Sequence, residues 1–267
     1  MTIHPDFADF AATYDAGRPQ VLWTTLVADL ETPVSAMLKL ADGRPNSFLL
    51  ESIEGGATRG RYSIIGTRPD LVWRCRGAKA EINRRARYDA NAFEPCPGGT
   101  LEALRSLLAE SRIELPASLP PMAAGLVGYL AYDMVRLIER IPDTRPDPLG
   151  LPDSILVRPT VMAIFDSVLD LVTVVTPVRP EAGRDARAAY ALASERLADI
   201  VADLSRSLPY GRERREDVAP LPEPASNTTR AEYHAMVARA KDYIAAGDVF
   251  QVVLAQRFSL PFRLPPF

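Results

Sequence analysis

The chain has 267 residues, 47% of them apolar and 24% charged, with a formal net charge of −3. That is a globular composition with enough length to bury a core without covalent staples, and it excludes a global field that would draw the chain to nucleic acid or anionic lipid. Two cysteines, Cys75 and Cys96, lack CxxC spacing and read as reduced thiols, and two histidines, His4 and His234, lie too far apart for a His-based metal site.

The opening MTIHPDFADF carries acids and no apolar h-region, so it does not read as a signal peptide. No stretch reaches membrane-spanning length, and the cytoplasm is the expected location. A short helix is expected over Phe7 to Ala16, then a strand at Val21–Leu26. An amphipathic helix follows, started by Pro33, with Val34, Met37, Leu38 and Leu40 as its apolar stripe. Strands dominate next: Ser47–Ile53, Tyr62–Gly66, Leu71–Arg76 and Ala78–Ile82, with Gly77 marking a tight hairpin. The basic cluster Arg74, Arg76, Lys79, Arg84, Arg85 and Arg87 lacks interleaved aromatics and reads as solvated hairpin edges rather than a nucleic-acid surface. Thr100 is expected to cap a helix whose face carries Leu101, Leu104, Leu107 and Leu108.

AGLVGYLAYD, residues 124–133, reads as a strand in which Gly125 and Gly128 allow close backbone approach or a bulge. A short helix at Met134 to Arg140 precedes two strands, Ile155–Phe165 and Val168–Pro177, joined around Asp166-Ser167. A long helix is expected from Glu181 to Arg206, its stripe at positions 186, 190, 193, 197, 200 and 204. Residues 207–227, rich in proline and charge, read as a linker. Thr229-Arg230-Ala231-Glu232 is a capping box opening a helix with stripe Tyr233, Val237, Ala240 and Ile244, closed by Gly247. Residues 249–260, VFQVVLAQRFSL, read as one long strand. A helix and a strand cannot form a core by themselves, so the expectation is a second module whose remainder is missing, and hence a truncated chain.

One stretch, SFLLESIEGGATRGRYSIIG at residues 47–66, breaks its own pattern. Phe48, Leu49 and Leu50 form a core-like run. Glu51 and Ser52 then place a carboxylate and a hydroxyl where the core should continue. In isolation this is where a strand meets water.

Three stretches in order, LLESIEGGATRGRYSIIG, GLVGYLAYDMVRLIE and AAGDVFQVVLAQRFSLPF, resemble the first half of anthranilate synthase component I, over about residues 20 to 262. The resemblance implies an α+β fold, a layered sandwich of mostly antiparallel sheets with helices packed outside, incomplete at the C-terminus. It implies residues 1–206 as an N-terminal regulatory and structural domain, 207–227 as a linker, and 228–267 as the start of the chorismate-binding catalytic domain. Ala124-Gly125 stands where family members often carry a Gly-Gly pair, a mild departure.

The LLES segment of that family helps form a tryptophan feedback site. Carried over, this makes Leu50, Glu51 and Ser52 tryptophan-binding. Glu51 would receive the ammonium, Ser52 would hydrogen-bond beside it, and Leu50 would receive the indole. Arg61, Tyr62 and Ser63 also match. Arg61 reads either as a clamp for Glu51 or a ligand carboxylate, or as half of a cross-strand ion pair. Gly128 and Tyr129 could shape an interface between modules, although plain sheet packing is the favoured reading. Gln251 is the one candidate for lining the chorismate site. Relatives that add water to chorismate carry a Lys there as base, and an amide suits amination by ammonia.

The resemblance further implies a lyase of tryptophan biosynthesis. Ammonia from a glutamine amidotransferase partner, anthranilate synthase component II, attacks chorismate, and pyruvate is eliminated to give anthranilate. L-tryptophan would be the inhibitor and Mg²⁺ the cofactor of the full-length enzyme, its ligands and the catalytic residues lying downstream of residue 267. The chain alone is expected to be inactive and to bind tryptophan weakly at most. Two alternatives stand: aminodeoxychorismate synthase component I, of folate synthesis, and a stand-alone amino-acid-binding regulatory domain.

Overall fold

The computed structural model describes residues 1–41, 43–54, 58–144, 146–208 and 222–262. The chain divides into two units, Met1–Gly211 and Arg212–Phe267. In the first, helix α1 (Phe7–Asp15) starts on an Asp6 cap, strand β1 (Gln20–Val27) follows, and helix α2 spans Pro33–Ala41. Strands β2 (Phe48–Glu54) and β3 (Thr58–Thr67) form a hairpin, as do β4 (Leu71–Arg76) and β5 (Lys79–Asn83). The β4–β5 turn uses Gly77 at φ +52°, a left-handed conformation that glycine adopts without strain. Two-residue β6 (Glu94–Pro95), helix α3 (Thr100–Ser111), strand β7 (Val127–Leu130) and a 3₁₀ turn (Tyr132–Leu137) come next. Strands β8 (Ser154–Arg158), β9 (Val161–Asp166) and β10 (Leu171–Val178) lead into helix α4 (Ala186–Leu204), capped by Asp185.

Two five-stranded sheets result, ordered β1-β10-β9-β3-β2 and β6-β5-β4-β8-β7. Every pairing in them is antiparallel. Helices α1, α2 and α4 cover one face of the first sheet through Phe10, Leu40, Leu197 and Ile200, and the other face buries Val21, Ile64 and Ile164 beneath residues 113–124. Helix α3 packs on the second sheet around Trp73. The architecture is the expected α+β layering.

Four expectations for these elements are corrected. Residues 155–165 do not form one strand: the chain leaves the second sheet after Arg158 and enters the first at Val161. Pro159, which has no N–H for a ladder, marks the break. Arg158 forks onto Asp70 at 2.8 and 3.0 Å, and Thr160 Oγ1 donates to the Arg68 carbonyl at 2.6 Å, fixing the crossing. Second, α3 has Gly99 as its N-cap, and Thr100 Oγ1 instead donates to the Gly77 carbonyl. The buried face is Thr100, Ala103, Leu107 and Ser111, and Leu108 is exposed. Third, α2 buries Ala36, Met37, Lys39, Leu40 and Ala41 and leaves Val34 exposed. Lys39 is tolerated inside because it pairs with Glu31 and donates to the Leu204 carbonyl at 2.7 Å. Fourth, the strand expected over 124–133 is confined to Val127–Leu130.

In the second unit, helix α5 (Arg230–Ala246) carries the full capping box of Thr229 and Glu232 and ends on Gly247 at φ +81°. Two short strands, β11 (Ala225–Ser226) and β12 (Phe258–Ser259), pair antiparallel. The strand expected over 249–260 is thus confined to Phe258–Ser259. Among the described residues only β11 offers a partner ladder, and apolar, β-branched sequence does not make a strand without one. Of the expected linker, residues 209–221 lie outside the described residues.

Candidate functional site

The break in LLES is a backbone event. β2 and β3 pair as Leu50↔Ile64 and Glu51↔Ser63, then resume at Ile53↔Arg59, so Ser52 alone faces three residues, Gly60–Tyr62. Such a bulge re-aims side chains at a strand end. Gly60 makes it possible, because a Cβ there would overlap the Ser52 side chain. The strands open onto a cavity of about 480 Å³. Glu51, Ser52, Arg61 and Ser63 line it from the hairpin, Phe165 to Ser167 and Asp170 from the end of β9 and the turn after it, Asp29 and Glu31 from the loop before α2, and Pro33 from the first residue of α2. The Ala28 N–H donates to the Asp170 carbonyl at 2.9 Å, holding that loop against the turn.

The charges sort into committed and free. Arg61 forks onto Asp166 with contacts of 2.7 to 3.0 Å. Asp166 also accepts the Val168 and Leu169 amides at 3.0 and 3.3 Å, and so terminates β9. The Arg61 hydrogen bond, aided by those amides, holds the Asp166 carboxyl below its ordinary range and raises Arg61 in turn. Glu31 is taken by Lys39 and by Ser35 Oγ at 2.7 Å. Asp29, Glu51 and Asp170 form no salt bridge among the described residues. With five carboxylates and one arginine on its wall, the cavity favours a cation, and an ammonium group fits that demand.

Glu51, Ser52, Arg61 and Ser63 are therefore brought together, with Glu51 and Ser52 exposed at the rim. Arg61 does not clamp Glu51; it forms a cross-strand ion pair with Asp166, since β3 and β9 pair Tyr62 with Asp166. Leu50 is not in this cavity. It sits opposite Ile64 on the other face of the sheet, and Tyr62 packs on that same face beneath Arg61. Phe165 and Pro33 are the apolar surfaces here instead.

Gly128 and Tyr129 lie in the second sheet. A Cβ on Gly128 would overlap the Ile155 carbonyl, and Tyr129 hydroxyl donates to the Pro152 carbonyl at 2.7 Å. Gln251 lies in the second unit, exposed and outside any strand. Sequence reasoning missed Asp29, Asp166 and Asp170. The turn DSVLD between two apolar strands, residues 166–170, is the one visible signal for Asp166 and Asp170, and Asp29 has none. Among the described residues no three His, Cys, Asp or Glu side chains are grouped to hold a metal ion, so the Mg²⁺ that the resemblance implies has no fitting ligand set there.

A model of the chorismate binding enzyme family matches residues 60–267. Anthranilate synthase component 1 of Cereibacter sphaeroides is 55% identical over 261 residues, covering 98% of this chain and 52% of that protein. The protein of the same name from Thermus thermophilus is 39% identical over 245 residues, covering 91% and 48%. The chain spans about half the length of the curated relatives it matches. The crystal structure of anthranilate synthase component I from Streptococcus pneumoniae shares the fold, with a TM-score of 0.60 at 23% identity over 90% of this chain and 50% of that one.

Proposed function

Because this chain belongs to the chorismate binding enzyme family, we propose that it is part of an anthranilate synthase component I and carries that enzyme's amino-acid feedback site. The names of its relatives and their 98% and 91% coverage of the chain support this reading over the 4-amino isomer's enzyme. The whole protein would convert chorismate and ammonia, delivered by an amidotransferase subunit in the cytoplasm, to anthranilate and pyruvate. Residues 1–206 would regulate and 228–267 would belong to the chorismate-binding module. Mg²⁺ would serve the whole enzyme; no step is assigned to it through the described residues, which offer it no ligand set.

The single observation carrying the regulatory part is the acidic cavity at the β2–β3 bulge. L-tryptophan would place its ammonium against Glu51, Asp29 or Asp170, accept or donate at Ser52, and lay its ring against Phe165 and Pro33. Arg61, held in place by Asp166 yet half exposed, presents the remaining N–H groups that suit the ligand carboxylate. The test is tryptophan inhibition of ammonia-dependent anthranilate formation in the whole protein. Ser52→Ala should relax inhibition about ten- to a hundred-fold, the worth of one hydrogen bond to a charged ligand, with turnover kept. Unchanged inhibition removes Ser52 from the site.

A further inference from the structure

A second cavity, of about 300 Å³, opens in the first unit between the start of α4, the end of β10 and the turn at residues 84–88. It shares no lining residue with the Glu51–Ser52 cavity, and its electrostatics are opposite: five arginines face two carboxylates. Those carboxylates are spoken for, Asp70 by Arg158 and Glu181 by Arg184, while Arg84 is held by Glu110 outside the cavity. Arg87, Arg179 and Arg196 form no salt bridge among the described residues.

Two of these three are held inside the fold. Arg179 donates one Nη2–H to the Ser111 carbonyl at 3.1 Å, but its Nε is buried with no hydrogen-bond partner. Arg196 donates to Thr176 Oγ1 at 2.6 Å. Burial pushes both guanidiniums down, Arg179 to about 10, and neighbouring arginines push the same way, Arg158 on Arg179 and Arg87 on Arg196. Asp70 and Glu110 act the other way on Arg179, and Asp70 and Glu181 on Arg196, but no carboxylate contacts either guanidinium directly among the described residues. Guanidinium does not give up its proton in proteins, so both stay cationic in a setting that a further anion would favour.

We propose that this cavity binds a small oxyanion of the phosphate class, held by Arg87, Arg179 and Arg196. The planar fork of each guanidinium matches phosphate oxygens. The charge favours a dianion over a monocarboxylate, which would balance one of three free cations. Arg87, a member of what reads in the sequence as a solvated basic run, acquires a ligand-binding role.

Titration calorimetry on the 267-residue chain, at matched ionic strength in chloride, tests this with inorganic phosphate, glycerol 3-phosphate and acetate. Saturable binding of inorganic phosphate alone assigns the site to the free ion, and saturation by glycerol 3-phosphate as well assigns it to monoesters too. Arg196→Gln and Arg87→Gln should each weaken binding by about tenfold or more. Arg87 is exposed, so its variant will fold even if Arg196→Gln does not. The proposal is overturned by absence of saturable heat with either phosphate, by acetate binding as tightly, or by unchanged affinity in folded Arg87→Gln.

Discussion

Gly60→Ala tests whether the bulge positions Ser52. Gly60 is not at positive φ, so alanine meets no backbone strain there and the whole effect is steric. Its Cβ would overlap Ser52 Cβ and Oγ, so β2 must shift away from β3. Overpacking of this kind costs about 1–3 kcal/mol. At roughly 2–4 °C per kcal/mol for a unit of this size, melting of the first unit should fall by about 2–12 °C. The shift carries Ser52 out of the cavity, so tryptophan inhibition of the whole protein should relax about ten- to a hundred-fold.

The double variant Gly60→Ala with Ser52→Gly removes the two overlapping side-chain atoms and leaves a 2.8 Å approach to the residue 52 carbonyl carbon. It should recover part of the melting temperature and none of the inhibition, a coupling that a double-mutant cycle reads directly. Calorimetric melting of the 267-residue chain and inhibition curves of the whole protein are the assays. A Gly60→Ala protein that melts like the parent and keeps full sensitivity refutes the reasoning, as does a double variant no more stable than the single one.

Cys75 is buried, and burial followed by Asp153 pushes its thiol to about 11 from an ordinary value of 9.0. It should stay unmodified by iodoacetamide at pH 8 in mass spectrometry. Its contribution to stability is fully present below about pH 9 and is lost as pH rises toward 11. Glu110, held below its ordinary range by the Arg84 hydrogen bond with Arg158 assisting, contributes in the opposite window. That stability is present above the usual carboxylate value and disappears as acid protonates the folded form. Glu110→Gln should therefore lower stability at pH 7 and flatten the acid limb of urea midpoints plotted against pH. Thr229→Ala removes one half of the α5 capping box and should cost about 1 kcal/mol of helix stability. Faster amide exchange confined to the first turn of α5 is the readout.

What could be read from the sequence was what neighbours in the chain decide. The α4 stripe and the Thr229–Glu232 box are set by helical spacing over a few residues: Ala186, Ala193, Leu197, Ile200 and Leu204 are buried, Tyr190 is half-buried against the same core with Ala189 buried beside it, and the capping box is complete. Where pairing decides, local pattern fails. The apolar run 155–165 gives no sign that its halves join different sheets, because only the partners β4 and β3 distinguish them. Residues 249–260 have strand-forming side chains but little ladder to join. In α3 the packing against the second sheet selects Thr100, Ala103, Leu107 and Ser111 and leaves Leu108 outside, a choice that leucine spacing alone does not make. The site divides the same way. Glu51 and Ser52 announced themselves by interrupting a core strand. Asp166 reaches the cavity only through the β3–β9 pairing, and Asp29 only because its loop is pinned to Asp170.

The most direct measurement is an ¹⁵N spectrum of the chain titrated with L-tryptophan, which registers even weak binding residue by residue. Saturable shifts should concentrate at the amides of Glu51, Ser52, Gly60, Ser63 and Asp166, leave Gly128 and Tyr129 unmoved, and vanish in Glu51→Gln. Shifts that gather elsewhere in the chain, with the β2–β3 amides silent, would contradict the assignment of this acidic cavity to the feedback ligand.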